Sequence, residues 1–131
     1  MTESPRQLCV LVVEDEALLR WSIAETLAHR GHTVVEASSA SGAVRALHET
    51  RDPIDVVLLD VRLPDSDDLG LLADVRRLRP DSAVVMMTAF RTPDVTQGAL
   101  ELGAYRVLDK PFDMNGLEAL VIAADRDRSI H

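Results

Sequence analysis

Cysteine and lysine each occur once in 131 residues, as Cys9 and Lys110. A lone cysteine excludes an internal disulfide and fits a reducing cytoplasm. Positive charge is scarce as well: 14 bases face 22 acids, for a net charge of −8. Sequence-independent nucleic-acid binding relies on Lys and Arg neutralising phosphates, so this domain is not expected to bind nucleic acid directly. The same deficit argues against an anionic membrane surface as partner. No apolar run approaches the roughly 18 residues of a membrane span. Residues 1–7 are polar and have no apolar centre, so they do not read as a secretory signal. Internal repeats and low-complexity tracts are absent. So are a Gly-x-Gly-x-x-Gly fingerprint and a Walker-type loop, which leaves nucleotide binding without a motif. Thirteen of the 14 bases are arginine. Genome composition accounts for that bias, but not for the position of the one lysine that remains.

What is present reads as one α/β domain. The length falls within the roughly 100–200 residues of a single domain. A chain of this size buries roughly two-thirds of its unfolded surface, and 47% apolar residues exclude disorder. Apolar runs at 8–13, 33–36, 54–59, 83–87 and 105–108 have the continuous character of strands buried on both faces. The second and fifth are mixed, as suits strands nearer a sheet edge. Between them, apolar residues recur at helical spacing: Leu19, Ile23 and Leu27; Val44 and Leu47; Leu72 and Val75; Val95, Ala99 and Leu102; Leu117, Leu120, Val121 and Ala124. Thr92 before Pro93, and Asp113, read as helix N-caps. Gly31 and Gly103 read as stops, and Pro80 ends the third helix. Alternating strands and helices predict a parallel sheet with right-handed crossovers. The domain is expected over 7–124, with flexible termini at 1–6 and 125–131.

In an open parallel sheet the ligand crevice lies beyond the C-terminal strand ends. Glu14, Asp15 and Glu16 follow the first run, Asp60 the third, Thr88 the fourth, and Asp109-Lys110-Pro111 the fifth. Each has a bland reading alone. An acid after a strand often only opens a helix, and that reading is preferred for Glu16. Jointly they place carboxylates, one hydroxyl and the only lysine on one edge. Two carboxylates about 4 Å apart repel by roughly 4 kcal/mol at an effective dielectric of 20. Proton uptake or a cation must relieve that. Hard oxygen ligands in a partly hydrated site favour Mg²⁺. A carboxylate beside the cation can act as nucleophile toward a phosphoryl group, with lysine and threonine as donors to the new charge.

Val12-Val13-Glu14-Asp15-Glu16, Leu58-Leu59-Asp60-Val61-Arg62-Leu63-Pro64-Asp65, Met87-Thr88-Ala89-Phe90 and Asp109-Lys110-Pro111-Phe112 resemble the receiver domain of two-component response regulators. The four motifs occur in the right order and spacing. The resemblance spans about residues 7–124. It implies a flavodoxin-like doubly wound (βα)5 three-layer sandwich with strand order 2-1-3-4-5. It implies Asp60 as phosphoacceptor and Asp15 as a direct Mg²⁺ ligand, with Mn²⁺ as a substitute ion. Glu14 helps hold the ion, directly or across a water, and the Arg62 backbone carbonyl completes the protein ligands. Thr88 is the switch hydroxyl, Lys110 pairs with Asp60 and then with the phosphoryl group, and Pro111 follows a cis bond. The phosphodonor is a sensor histidine kinase or a histidine phosphotransfer protein. The resemblance leaves the oligomeric state open, with the fourth and fifth helices as the surface for a homodimer. The protein is then a cytoplasmic signalling phosphoacceptor, not a turnover enzyme. Leu18-Leu19-Arg20-Trp21-Ser22 and Met86 to Phe90 are most similar to receivers of nitrogen-regulation-type activators. The ATPase and DNA-binding domains of those activators are not in these 131 residues.

Three positions depart from the family pattern. Glu14 stands for the commoner Asp. Val107 stands where many receivers carry Tyr or Phe, so no ring can swing inward there. Asp68 stands where Gly is frequent, at a steric cost if φ is positive. Val107 and Asp68 keep open a receiver that docks without phosphorylation. A dehalogenase-type phosphatase needs Asp-x-Asp after a strand, and Asp60-Val61-Arg62 does not supply it. Trp21 reads as core packing or as a docking surface. Cys9 reads as an inert core thiol, and His29, His32, His48 and His131 as surface residues.

Overall fold

The computed structural model describes residues 6–66 and 69–128. Strands β1 (Cys9–Val13), β2 (Thr33–Ala37), β3 (Val56–Asp60), β4 (Ala83–Thr88) and β5 (Arg106–Asp109) alternate with helices α1 (Ala17–His29), α2 (Ala40–Glu49), α3 (Gly70–Leu78), α4 (Pro93–Glu101) and α5 (Leu117–Arg128). All pairings are parallel, in the order β2-β1-β3-β4-β5. This is the expected flavodoxin-like fold. The chain leaves β1 toward β2 and then returns to β3 on the other side, so the switch point lies between the ends of β1 and β3.

Side-chain alternation divides the core into two layers. Leu11, Val13, Val57, Leu59, Val84, Met86 and Val107 face α2, α3 and α4, which contribute Leu47, Leu72 and Ala99. Val10, Val12, Val56, Leu58, Val85 and Met87 face α1 and α5, through Ile23, Leu27, Leu117 and Val121. The central strands are apolar on both faces for this reason, and β2 and β5 are half-exposed because they are edges. Truncating a side chain such as Leu58, which is fully buried, to Ala costs roughly 2–5 kcal/mol.

The helix ends follow from local chemistry. Thr92 Oγ1 accepts from the Val95 amide at 3.2 Å, with Pro93 at the first helical position. Asp113 caps a 3₁₀ turn, Met114–Gly116, that leads into α5. Gly31 and Gly103 take φ of 92° and 98° where α1 and α4 stop, a conformation costly to other residues.

Several expectations are corrected. α5 runs to Arg128, and Arg6 and residues 125–128 belong to the folded part. Arg128 is held by Asp55, Asp125 and the Asp81 carbonyl, and Arg6 by Asp55 and Asp125. Residues 1–5 and 129–131, with His131, lie outside the described residues, as do Asp67 and Asp68 with the expectation for φ at Asp68. His32 is buried rather than on the surface. Its Nδ1 accepts from the Leu8 amide at 3.0 Å, so Nε2 carries the proton toward Glu118, 2.8 Å away. Trp21 is 57% exposed and not core, because the buried stripe of α1 is Ile23, Ala24 and Leu27 and Trp21 points elsewhere on the helical wheel. Cys9 is half-buried against the core. Burial, with Asp55 nearby, raises its thiol pKa and keeps it protonated.

Candidate functional site

The C-terminal ends of β1 and β3 bring Glu14, Asp15 and Asp60 together. One ligand oxygen from each lies within 4.8 Å of the others. Glu14 and Asp60 are buried and Asp15 is exposed, so the cluster opens to water on one side. The β5 end supplies Lys110, whose Nζ lies 2.8 Å from Asp60 Oδ2 and 2.5 Å from Glu14 Oε1. The bond to Asp60 is well aligned. The approach to Glu14 is a short charge contact, and Glu14 Oε1 has no other partner among the described residues. Glu14 Oε2 accepts from the Glu16 amide at 3.1 Å.

Two buried carboxylates therefore share one ammonium, with the exposed Asp15 carboxylate close by. Burial pushes the Glu14 pKa up to about 7; Lys110 and the Glu16 amide oppose the rise, and Asp60 adds to it. Burial works against charge on Lys110 too, but Asp60 and Glu14 outweigh it and hold its pKa above the ordinary lysine value.

Backbone bonds fix the remaining groups. The Val61 amide donates to the Met87 carbonyl at 2.9 Å, and the Lys110 amide to the Thr88 carbonyl at 2.8 Å. Asp60, Thr88 and Lys110 thus end three adjacent strands. The Thr88 hydroxyl is buried and accepts from the Phe90 amide at 3.1 Å, so its own proton is free to donate. The Arg62 amide donates to Asp60 Oδ1 at 3.1 Å, and its guanidinium lies 5.6 Å from the centre of the Phe90 ring. The Lys110–Pro111 bond is cis. Glu16 is the α1 N-cap residue, but its side chain makes no cap bond.

Val107 is buried in the α4-side core. Tyr105 belongs to the other face, where its hydroxyl donates to Asp127 at 2.7 Å, so it does not replace an inward-swinging ring. Sequence reasoning missed Arg91. Its Nε lies 2.9 Å from Asp109, and its guanidinium donates to the Val107 carbonyl. Asp65, the last residue of the third-strand motif, bonds the N-terminus of α2, a partner the motif does not announce. An acid five residues after Asp60 carries no spacing signal for a partner at Ala40.

Fold and site together define a flavodoxin-like domain with an acidic, lysine-bridged pocket at its switch point. The chain belongs to the response regulator receiver domain family, whose model matches residues 10–122. The DNA-binding transcriptional regulator NtrC of Escherichia coli K12 is 36% identical over 112 residues, covering 86% of this chain and 24% of NtrC. The transcriptional regulatory protein PdtaR of Mycobacterium tuberculosis H37Rv is 37% identical over 125 residues, covering 92% of this chain and 58% of PdtaR. The chain thus spans about a quarter of NtrC and somewhat more than half of PdtaR. The structure of NtrX from Brucella abortus superposes with a TM-score of 0.85 at 28% identity, over 95% of this chain and 29% of NtrX. A CheY-like receiver from Methanospirillum hungatei JF-1 superposes with a TM-score of 0.87 over 95% of this chain and 98% of its own, a likeness of fold at 22% identity. Receivers are signalling domains of two-component systems; they interact with sensor kinases and bind Mg²⁺ at an acidic pocket. No helix among the described residues is long and apolar enough to cross a membrane.

Proposed function

We propose that this chain is a phosphoacceptor that takes a phosphoryl group from a histidine of a sensor kinase or phosphotransfer protein onto Asp60. The observation that carries the reading is the Asp60 carboxylate at the end of β3, bonded to Lys110 and flanked by Glu14 and Asp15. An Asp60 oxygen attacks phosphorus as the N–P bond breaks. The bonding pair returns to the donor's imidazole nitrogen, and an aspartyl phosphate forms. Lys110 stays charged and pairs with the incoming phosphoryl oxygens. The Thr88 hydroxyl donates its free proton to another of those oxygens, drawing on the loop that its Phe90 bond anchors. With no ring at Val107, the conformational change is carried by this β4–α4 loop and α4.

The pocket fits a divalent cation. Three carboxylates against one ammonium leave a formal charge of −2, and Glu14 Oε1 has no partner but Lys110 among the described residues. Glu14, Asp15, Asp60 and the Arg62 carbonyl are the proposed ligands of Mg²⁺, or of Mn²⁺ in its place. The ion supplies charge neutralisation for the approaching phosphoryl group. Leu100 and Leu102, exposed at the end of α4, provide an apolar surface for a homodimer.

Acetyl phosphate with Mg²⁺ should add one phosphoryl group per wild-type chain, read as a mass increase. Asp60→Asn should add none. Equal labelling of Asp60→Asn rules out Asp60 as the acceptor, and no labelling of the wild type favours a receiver that docks without phosphorylation.

A further inference from the structure

The turn that follows Arg62 packs Leu63 into the core that α2 shares, and its Asp65 side chain bonds the N-terminus of α2. The Asp65 carboxylate accepts from the Ala40 amide at 2.7 Å and the Ser41 amide at 3.0 Å. These bonds, that of Ala40 first, hold its carboxyl below the usual range. Helix α2 already has a local cap, because Ser39 Oγ accepts from the Gly42 amide at 3.0 Å. Asp65 bonds the two first-turn amides that Ser39 leaves, and it does so from 24 or 25 residues away. Such charge-assisted bonds at a helix N-terminus are the stronger kind.

The same turn is closed on itself. The Leu63 amide donates to the Ser66 carbonyl at 2.7 Å and the Ser66 amide to the Leu63 carbonyl at 3.2 Å, with Asp65 between them. Upstream, the Arg62 amide is bonded to Asp60. A backbone carbonyl cannot swing to an ion as a side chain can. Its position is set by the segment that carries it, which is held by Asp60 and the buried Val61 and Leu63 beside it and, through Asp65, by α2.

We propose that Asp65 is a positioning residue for the cation pocket: by anchoring the 63–66 turn to α2, it holds the Arg62 carbonyl in ligand position. This rests on the reading above that counts that carbonyl among the Mg²⁺ ligands.

Calorimetric Mg²⁺ titration of the metal-free full chain tests it, with thermal melting and amide hydrogen exchange over residues 62–66. Asp65→Ala should weaken Mg²⁺ about tenfold, the lower end of what loss of a ligand-orienting partner does, and should speed exchange in the turn. Asp65→Asn keeps an acceptor oxygen but not the charge, and should fall between Asp65→Ala and the wild type. Ser39→Ala removes the local cap of the same helix. It should lower the melting temperature and leave Mg²⁺ affinity within about twofold of wild type, since its bonds go to Gly42 and Ser41 of the helix and leave both Asp65 bonds to the amides in place. Three results overturn the proposal. Asp65→Ala could bind like the wild type. Ser39→Ala could weaken Mg²⁺ as much as Asp65→Ala, which makes the effect one of helix integrity. Asp65→Asn and Asp65→Ala could be equally weak, which makes it one of charge alone. A wild type that binds no Mg²⁺ instead overturns the phosphoacceptor reading, and this inference with it.

Discussion

The two ends of β3 carry the same acid in opposite circumstances. Asp55, one residue before the strand, accepts from the Cys9 amide at 2.8 Å, Arg128 at 2.9 Å and Arg6 at 3.1 Å. With Asp125 also bonded to both guanidiniums, two carboxylates meet two arginines. At the other end Asp60 and Glu14 share Lys110, with Asp15 beside them and no second cation paired to the three among the described residues. A buried charge costs several kcal/mol of desolvation unless its partners are complete. The Asp55 end is complete and serves stability. The Asp60 end is short by two positive charges, and that shortfall draws in a cation and leaves a carboxylate able to react. Burial does not separate the two, since both aspartates are nearly inaccessible. The supply of positive charge does.

The largest expected effect is at the saturated end. Asp55→Ala leaves the Cys9 amide without its acceptor and takes a buried charge-assisted partner from Arg128, so urea unfolding should show a loss of about 2–3 kcal/mol. Asp60→Asn removes one of three crowded charges and should cost nothing, or raise stability by up to about 1 kcal/mol. If Asp60→Asn loses as much as Asp55→Ala, the two ends are energetically alike and the comparison fails.

Divalent cation is the second way to separate the ends. At a hundredfold excess over its dissociation constant, a ligand that binds only the native state adds about 2.7 kcal/mol. Mg²⁺ should therefore raise the wild-type melting temperature by several degrees. Asp55→Ala should gain as much from its lower starting point, and Asp60→Asn should gain under half. Equal gains in Asp60→Asn and the wild type place the ion elsewhere.

The two ends were not equally legible in the sequence. Asp60, Glu14 and Asp15 each follow an apolar run, and in a parallel sheet the residues after such runs share one crevice. Local pattern and fold rule were enough. Asp55 reads as any acid at the start of an apolar run, because Arg6 and Arg128 lie 49 and 73 residues away and no periodicity links them. His32 was misjudged for the same reason: Glu118, which makes its burial tolerable, is 86 residues on. Asp65 and its amides on α2 belong to this class too. Trp21 differs, since the Ile23–Leu27 stripe already sets the buried face of α1 and could have decided for exposure. Contacts between distant segments depend on how layers pack, which composition and spacing leave open.

A smaller effect follows from Glu14. Its folded pKa of about 7 lies above the model-peptide value of 4.5. Between those values the native state binds more protons than the unfolded chain, so this group's contribution to stability falls as pH rises from 4.5 to about 7. Each pKa unit is worth about 1.36 kcal/mol; allowing for water at the open side of the cluster, the sum is roughly 1–2 kcal/mol. In metal-free protein, Glu14→Gln should match the wild type near pH 5 and exceed it in melting temperature near pH 8. Saturating Mg²⁺ should close that gap by stabilising the wild-type carboxylate. A gap independent of pH means that Glu14 titrates normally and the pocket is better compensated than its charges indicate.

The smallest effect comes from an acid outside both ends. Asp109 is 64% exposed at the side chain and pairs with Arg91, itself 41% exposed. Arg91 also reaches the Val107 carbonyl, so by count of bonds it is better connected than Lys110 is to Glu14. Exposed pairs nonetheless contribute about 0–1 kcal/mol, because water competes for both partners and two long side chains lose freedom. Arg91→Ala should therefore lower stability by under about 1 kcal/mol, and most of that loss should vanish in about 0.5 M salt, where exposed charges are screened. Arg128, one-quarter exposed beside the buried Asp55 carboxylate, should show weaker salt dependence, whereas Arg6, 59% exposed, should be screened as Arg91 is. If Arg91→Ala costs as much as Asp55→Ala and resists salt, then the number of bonds, and not the match between buried charge and its cations, decides what an acid does in this domain.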